Sequence, residues 1–290
     1  MTCSCAQQQE SGYELDALGE LFEEEDEFGN ELDQESEIIG PDSRILTKKT
    51  TLAPFRYICN MESGGQPFCT GTLIGSRTLL TAKHCLEGET EKGGVRIIPG
   101  RNGSSEPFKS TTSEKFVSYD SADIALVHLK DPIGDTVGFW TRTHSRSKAD
   151  PIGTSILSGS LPLPAGTLKV NVSGYPGDMP LAKKYACRDP KAKGARCTFN
   201  QGAGRSNLCG AFQYRSYDVT VKRDGNLLRH TSDTCGGHSG SPVWVRRHWS
   251  MGGRVLVAVH VGSNTLKKKT TNRAVLIDKD ILKFIIANTK

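Results

Sequence analysis

From Ile38 onward, short apolar and β-branched runs alternate with clusters of Gly, Pro, Asn and Ser. Runs of four to eight such residues bounded by turn formers predict strands. The candidates are 55–60, 70–74, 78–82, 95–99, 124–129, 167–174, 219–222, 242–245, 255–261 and 274–277. Asn102-Gly103 and Asp224-Gly225 carry hairpin-turn chemistry between them. The pattern predicts an all-β barrel or sandwich. One helical pattern closes the chain, where Asp278 or Asp280 can cap a run with Ile281, Leu282, Ile285 and Ile286 on one face. That helix is expected to pack on the second half of the domain. Residues 181–230 have no clear period and read as an irregular, cross-linked insertion containing Cys187, Cys197 and Cys209.

Charge divides the chain. Residues 1–37 hold 13 Asp and Glu and no Lys or Arg, whereas the remaining 253 residues carry a net +18. A segment so acidic cannot bury enough apolar surface to offset its ordering entropy, so it reads as a disordered leader or pro-segment lying on a basic body. No run approaches the roughly 18 apolar residues of a membrane span, and no membrane partner is expected. The first residues lack the basic start and apolar stretch of a secretory signal, while nine cysteines suit an oxidising compartment. These two signals oppose each other on export. Basic residues gather at Lys183, Lys184, Arg188, Lys191, Lys193 and Arg196 and at Lys267-Lys268-Lys269, with no aromatic platform between them. They read as solvated loops, and nucleic acid is not expected as a partner.

The chemistry concentrates in three segments. Thr-Cys-Gly-Gly-His-Ser-Gly-Ser-Pro-Val at 234–243 presents Ser239 between glycines. A serine needs a base, and the base needs a third group to orient it. His84, in Thr-Ala-Lys-His-Cys, follows an apolar run that delivers it from a strand. Cys85 and Cys69 can form a disulfide that holds it. A metal role for His84 with Cys85 lacks supporting Cys-x-x-Cys or His-x-x-x-His spacing, and no metal or other cofactor is expected. Asp123 enters the apolar run Ile-Ala-Leu-Val, where a carboxylate must be paired, and Asp120 is the alternative. Gly237 and Gly240 allow a tight turn that can aim the N–H groups of Gly237 and Ser239 at a developing oxyanion. The expectation is acyl-transfer chemistry by His84, Asp123 and Ser239. Cys235 as nucleophile and a non-catalytic binding module are the competing readings.

With these motifs in view, the chain resembles the chymotrypsin-fold serine endopeptidases and, within them, most resembles the bacterial glutamyl endopeptidases. The matching segments are Ile-Ile-Gly-Pro-Asp-Ser-Arg at 38–44, Cys-Thr-Gly-Thr-Leu-Ile-Gly at 69–75, Pro-Gly-Arg-Asn-Gly at 99–103, Ile-Gly-Asp-Thr-Val-Gly at 133–138, Ser-Gly-Tyr-Pro-Gly-Asp at 173–178, and the Ser239 segment. The resemblance implies two six-stranded antiparallel β-barrels, at 38–140 and 141–277, with a C-terminal helix at 278–290. It also implies a monomer acting on protein or peptide substrates after Glu or Asp. The residues reading the acidic side chain would be Thr234, His260 and the amino terminus at Ile38, freed by self-cleavage after Glu37. Asp233, six residues before Ser239, is the trypsin-like alternative. His238 stands where the trypsin branch has an Asp for its activation salt bridge. Cys187–Cys235 and Cys197–Cys209 are the further expected pairs.

Overall fold

The computed structural model describes residues 4–5, 37–39, 41–88, 94–141, 154–156, 168–179, 210–246, 253–266 and 269–290. The first barrel comprises β4 (Ile58–Ser63), β5 (Gln66–Gly75), β6 (Thr78–Thr81), β7 (Arg96–Pro99), β8 (Thr111–Tyr119) and β9 (Ile124–Leu129), closed in the order β4-β5-β6-β9-β8-β7. Three shorter strands precede it: β1 (Ser4–Cys5), β2 (Glu37–Ile38) and β3 (Ile45–Leu46). Closure removes the exposed edges that a sheet of this size would otherwise present. Every residue of β6 and β9 is buried, which explains why these two strands are legible as unbroken apolar runs.

The second half contains β10 (Thr154–Ile156), β11 (Leu168–Gly174), β12 (Tyr214–Asp224), β13 (Leu227–His230), β14 (Pro242–Arg246), β15 (Arg254–Leu266) and β16 (Lys269–Leu276). The order β15-β14-β11-β12-β13-β16 returns to β15 through the β15–β16 pairing, giving a second ring. Strand β10 adds parallel to β15, and β3 adds antiparallel to β12.

Besides a cluster within the second ring that includes Val170, Val243 and Val257, a larger core spans both rings. Trp140 and Trp244 lie 6.3 Å apart between ring centroids, Tyr57 meets Trp140 edge-on, and the Trp140 indole N–H donates to Thr72 Oγ1 at 2.9 Å. Leu256, Val259 and Val275 from the second ring join Leu73, Leu79 and Leu126 from the first in that cluster. A seam packed this way places the loops of the two rings against each other.

Five expectations change. Residues 55–57 form a 3-10 turn, and the strand begins at Ile58. Strand β8 escapes the sequence pattern because Glu114 and Lys115 face solvent and interrupt its apolar period. Part of the stretch expected to be irregular, 214–230, is the β12–β13 hairpin, turning at Asp224-Gly225 with Gly225 at φ +57°. The short helix α1 (Ile133–Val137) has no counterpart among the expected elements, and α2 (Lys279–Asn288) packs on the first barrel rather than the second. Asp278 caps α2 by accepting from the N–H groups of Asp280 and Ile281. Tyr119 and Phe116 of β8 offer that helix an apolar surface: Phe284 meets Tyr119 at 5.1 Å, and His128 Nε2 donates to the Asn288 carbonyl at 2.8 Å. Cys187, Cys197 and Cys209 lie outside the described residues, so neither further cysteine pair falls wholly within them. The same holds for most of the leader, of which Ser4–Cys5 pairs in parallel with Glu37–Ile38.

Candidate active site

Strand β6 ends at Thr81, and the chain turns through a 3-10 segment, Lys83–Leu86, that carries His84 outward at the barrel mouth. The Cys69–Cys85 disulfide ties this turn back to β5. Asp123 sits one residue before β9, the neighbour of β6, so the barrel register brings it to the same rim. His84 Nδ1 donates to Asp123 Oδ2 at 2.7 Å, and the His84 backbone N–H donates to Oδ1 at 3.0 Å. Partial burial alone would raise the Asp123 carboxyl, but the ring of His84 and the backbone N–H groups of His84 and Lys83 outweigh it and hold it below its ordinary value. Asp123 is therefore an anion that fixes both ring and backbone of His84. Asp120 is exposed and takes no part. Among the described residues the one His, Cys, Asp and Glu cluster compact enough for a metal is Cys69, His84 and Cys85, and both sulfurs are spent on the disulfide.

The Ser239 segment faces that rim. The Thr70 N–H of β5 donates to the Ser239 carbonyl at 2.9 Å. A side chain on Gly240 would lie 2.0 Å from the Thr70 carbonyl and 2.2 Å from Thr81 Oγ1, so only glycine lets the serine loop approach the strands that deliver His84. Gly237 and Gly240 hold positive φ of 97° and 84°, conformations that other L residues resist. Within the loop, the N–H groups of Cys235, His238, Gly240 and Ser241 are donated to His238 Nδ1 and to the carbonyls of Cys235, His260 and His238. Those of Gly237 and Ser239 have no such acceptor among the described residues. The carbonyls of Gly236 and His238 are tied inward by Gly177 N–H and Ser241 N–H. A trans peptide points its N–H opposite its C=O, so the Gly237 and Ser239 donors are turned the other way.

Behind this loop lie three buried histidines. His260 N–H and C=O pair with Ser241 and Gly240, placing His260 in the strand next to the serine. Its Nδ1 lies 3.3 Å from His230 Nε2, and the His238 ring stands edge-on to it at 6.5 Å. Burial pushes His230 down to about 3 and holds His238 and His260 well below their ordinary value, so all three are neutral. Thr234 is fully buried in the same loop, and Ile38 is buried with β2 lying against β16.

A family model described as Trypsin matches residues 45–283. The chain belongs to the trypsin family. It is 27% identical over 256 residues to a glutamyl endopeptidase of Bacillus licheniformis, covering 84% of this chain and 66% of that protein. An extracellular metalloprotease of Bacillus subtilis, so named, is 26% identical, covering 82% and 67%. A glutamyl endopeptidase of Staphylococcus aureus is 23% identical, covering 81% and 58%. The chain thus spans about two thirds or less of these relatives' lengths. A solved structure of a Glu endopeptidase superposes with a TM-score of 0.59 at 24% identity, covering 86% of this chain and 98% of that one, a likeness of fold.

This trypsin-family chain uses Asp233 in a way its spacing does not suggest. The buried carboxylate accepts from Ile39 N–H at 2.8 Å, Ser43 N–H at 2.6 Å and Ser43 Oγ at 2.7 Å. Burial pushes this carboxyl up while those donors oppose the shift. Next to it, the buried Arg44 guanidinium bridges Asp42 and Asp178. The segment that precedes the barrels is thereby strapped to both flanks of the serine loop, at Asp233 and at Asp178 beside Gly177. The segment Ile-Ile-Gly-Pro-Asp-Ser-Arg marks these residues, but not their partners more than 130 positions away.

Proposed function

We propose that this chain is a serine endopeptidase that cleaves protein or peptide chains after glutamate or aspartate. The observation that carries the reading is the 2.7 Å bond between His84 and Asp123 on the rim that the Ser239 loop packs against. With Nδ1 donated to Asp123, the Nε2 lone pair of His84 takes the Ser239 proton as Oγ attacks the scissile carbonyl carbon. The carbonyl oxygen becomes an oxyanion received by the N–H groups of Gly237 and Ser239. Collapse breaks the C–N bond as His84 returns the proton to the leaving amine, and water then releases the acyl group by the same steps.

The acidic preference rests on two relatives named glutamyl endopeptidase and on the placement of His260 and Thr234. If His230 Nε2–H donates to His260 Nδ1, the His260 proton sits on Nε2, where a neutral but polarised N–H can donate to a substrate carboxylate. A protonated His260 is disfavoured by its burial. The trypsin-like alternative weakens because the Asp233 carboxylate is occupied by Ile39 and Ser43. Cys235 as nucleophile weakens because its side chain is buried. Cleavage after Glu37 would free Ile38 beside the Asp233 anchor, and the mature product acts as an extracellular monomer.

A peptide library digested with the mature protein tests activity and preference together. Cleavage after Glu and Asp is expected, and cleavage after Lys or Arg defeats the specificity. Inactivation by a serine-directed phosphonate is expected; inactivation by iodoacetamide alone transfers the role to Cys235. Loss of the leader from isolated Ser239→Ala protein overturns self-processing.

A further inference from the structure

Two peptide units of the loop that carries the serine must hold a fixed orientation if their N–H groups are to meet one oxygen. One of them runs through His238, since the Ser239 N–H belongs to the peptide that begins at His238. His238 is buried and bonded to Cys235 twice. Its backbone N–H donates to the Cys235 carbonyl at 2.9 Å, and its ring Nδ1 accepts the Cys235 N–H at 3.1 Å. The second bond requires a lone pair on Nδ1, so the ring must be neutral with its proton on Nε2. The ring fills the space left open by the missing side chain of Gly174. A side chain on Gly174 would lie 2.9 Å from His238 Cδ2, and the His260 ring stands perpendicular on another side at 89°. The His238 carbonyl is taken by Ser241 N–H, and the Gly237 carbonyl by Thr70 Oγ1 at 2.8 Å.

We propose that His238 is a positioning residue: by accepting the Cys235 N–H at Nδ1 it closes the loop from the side-chain face and thereby aims the N–H groups of Gly237 and Ser239 at the oxyanion. This rests on the serine-endopeptidase reading of the same site. The side chain of residue 238 is then required to place one acceptor two bonds beyond Cβ, and neither a charge nor the second ring nitrogen is needed. Asparagine supplies such an acceptor, its Oδ1 standing where Nδ1 stands. Glutamine reaches one bond further and alanine supplies none.

The test compares His238→Ala, His238→Gln and His238→Asn with the unchanged chain, measuring kcat and KM on a glutamyl reporter peptide together with inhibition by the matching peptide aldehyde, which forms the oxyanion on binding. Loss of one oxyanion donor costs about 10²- to 10³-fold in kcat. Misaiming the pair through His238→Ala should lower kcat by about 10- to 100-fold, with KM within about 3-fold and aldehyde affinity falling in step with kcat. His238→Asn should restore kcat to within about 3-fold, and His238→Gln should not. If the alanine variant does not fold, the contrast between Asn and Gln decides alone. Equal losses for Asn and Gln, or a lowered unfolding temperature with unchanged kcat, overturn the proposal. An unchanged chain that cleaves no peptide overturns the endopeptidase reading itself, an outcome separate from the failure of Asn to rescue.

Discussion

Two sets of histidines occupy the two halves of this protein, and they are set up in opposite ways. His84 stands on the rim of the first barrel with 38% of its side chain exposed and a carboxylate bonded to its ring. His230, His238 and His260 lie inside the second, fully or nearly buried, with each other for company. The first arrangement lets an imidazole gain a proton at little cost, because Asp123 stabilises the cation and water reaches the ring. The second disfavours the charge, since desolvation penalises it. The proposed base, which must cycle its proton, and a set of donors and acceptors that stay neutral thus use the same side chain in different surroundings.

The contrast can be broken at several points. Ser239→Ala should reduce kcat on a glutamyl peptide by about 10⁶-fold. A residual rate within about a hundredfold of the unchanged chain would mean that the nucleophile lies elsewhere. Asp123→Asn should cost about 10⁴-fold by favouring the wrong tautomer of His84, while its thermal midpoint stays close to that of the parent. Replacing Cys69 and Cys85 by serine removes a link across 16 residues and should lower stability by about 3 kcal/mol, read by urea unfolding. His260→Leu should reduce the preference for Glu over Gln at the cleaved position by about 10- to 100-fold, the range of a hydrogen bond to a charged group. The same ratio measured on Asp123→Asn should not move.

The contrast also has a slope against pH. His230 is pushed down to about 3, and His238 and His260 are held well below their ordinary value near 6.5. Below pH about 6.5 the unfolded chain binds protons that the folded chain refuses, so stability is fully present above that pH and is lost as pH falls. Each histidine contributes up to about 1.4 kcal/mol per pH unit in that window. Asp123, held low, adds its own loss nearer its folded value. Denaturant titrations between pH 4 and 8 should show the decline, and a flat profile would mean that the three rings are hydrated.

Strands β6 and β9 are readable because both their faces are buried and their apolar runs are long enough to stand out. Strand β8 is not, because one face is wet and its polar residues hide the period. Helix α2 is readable as an element, and of its two candidate caps the structure uses Asp278, a local contact spanning three residues. Its resting place is not, since nothing in an apolar stripe says which of two barrels will cover it.

Ser239, His84 and Asp123 stand out as the proposed reacting groups because each lies in a short segment whose neighbours support its chemistry. Glycines surround the serine, a strand and a cysteine flank the base, and an apolar run follows the carboxylate. Sequence by itself therefore determined the strand-rich fold class and named the candidate reacting groups. Only the tertiary structure decided that Asp233 anchors Ile39 and Ser43, that His230 meets His260, and that His238 accepts from Cys235 through its ring. Local patterning records burial and turn geometry along the chain. A buried polar atom's partner is set by which segments the closed barrels bring face to face, and that depends on the whole topology at once.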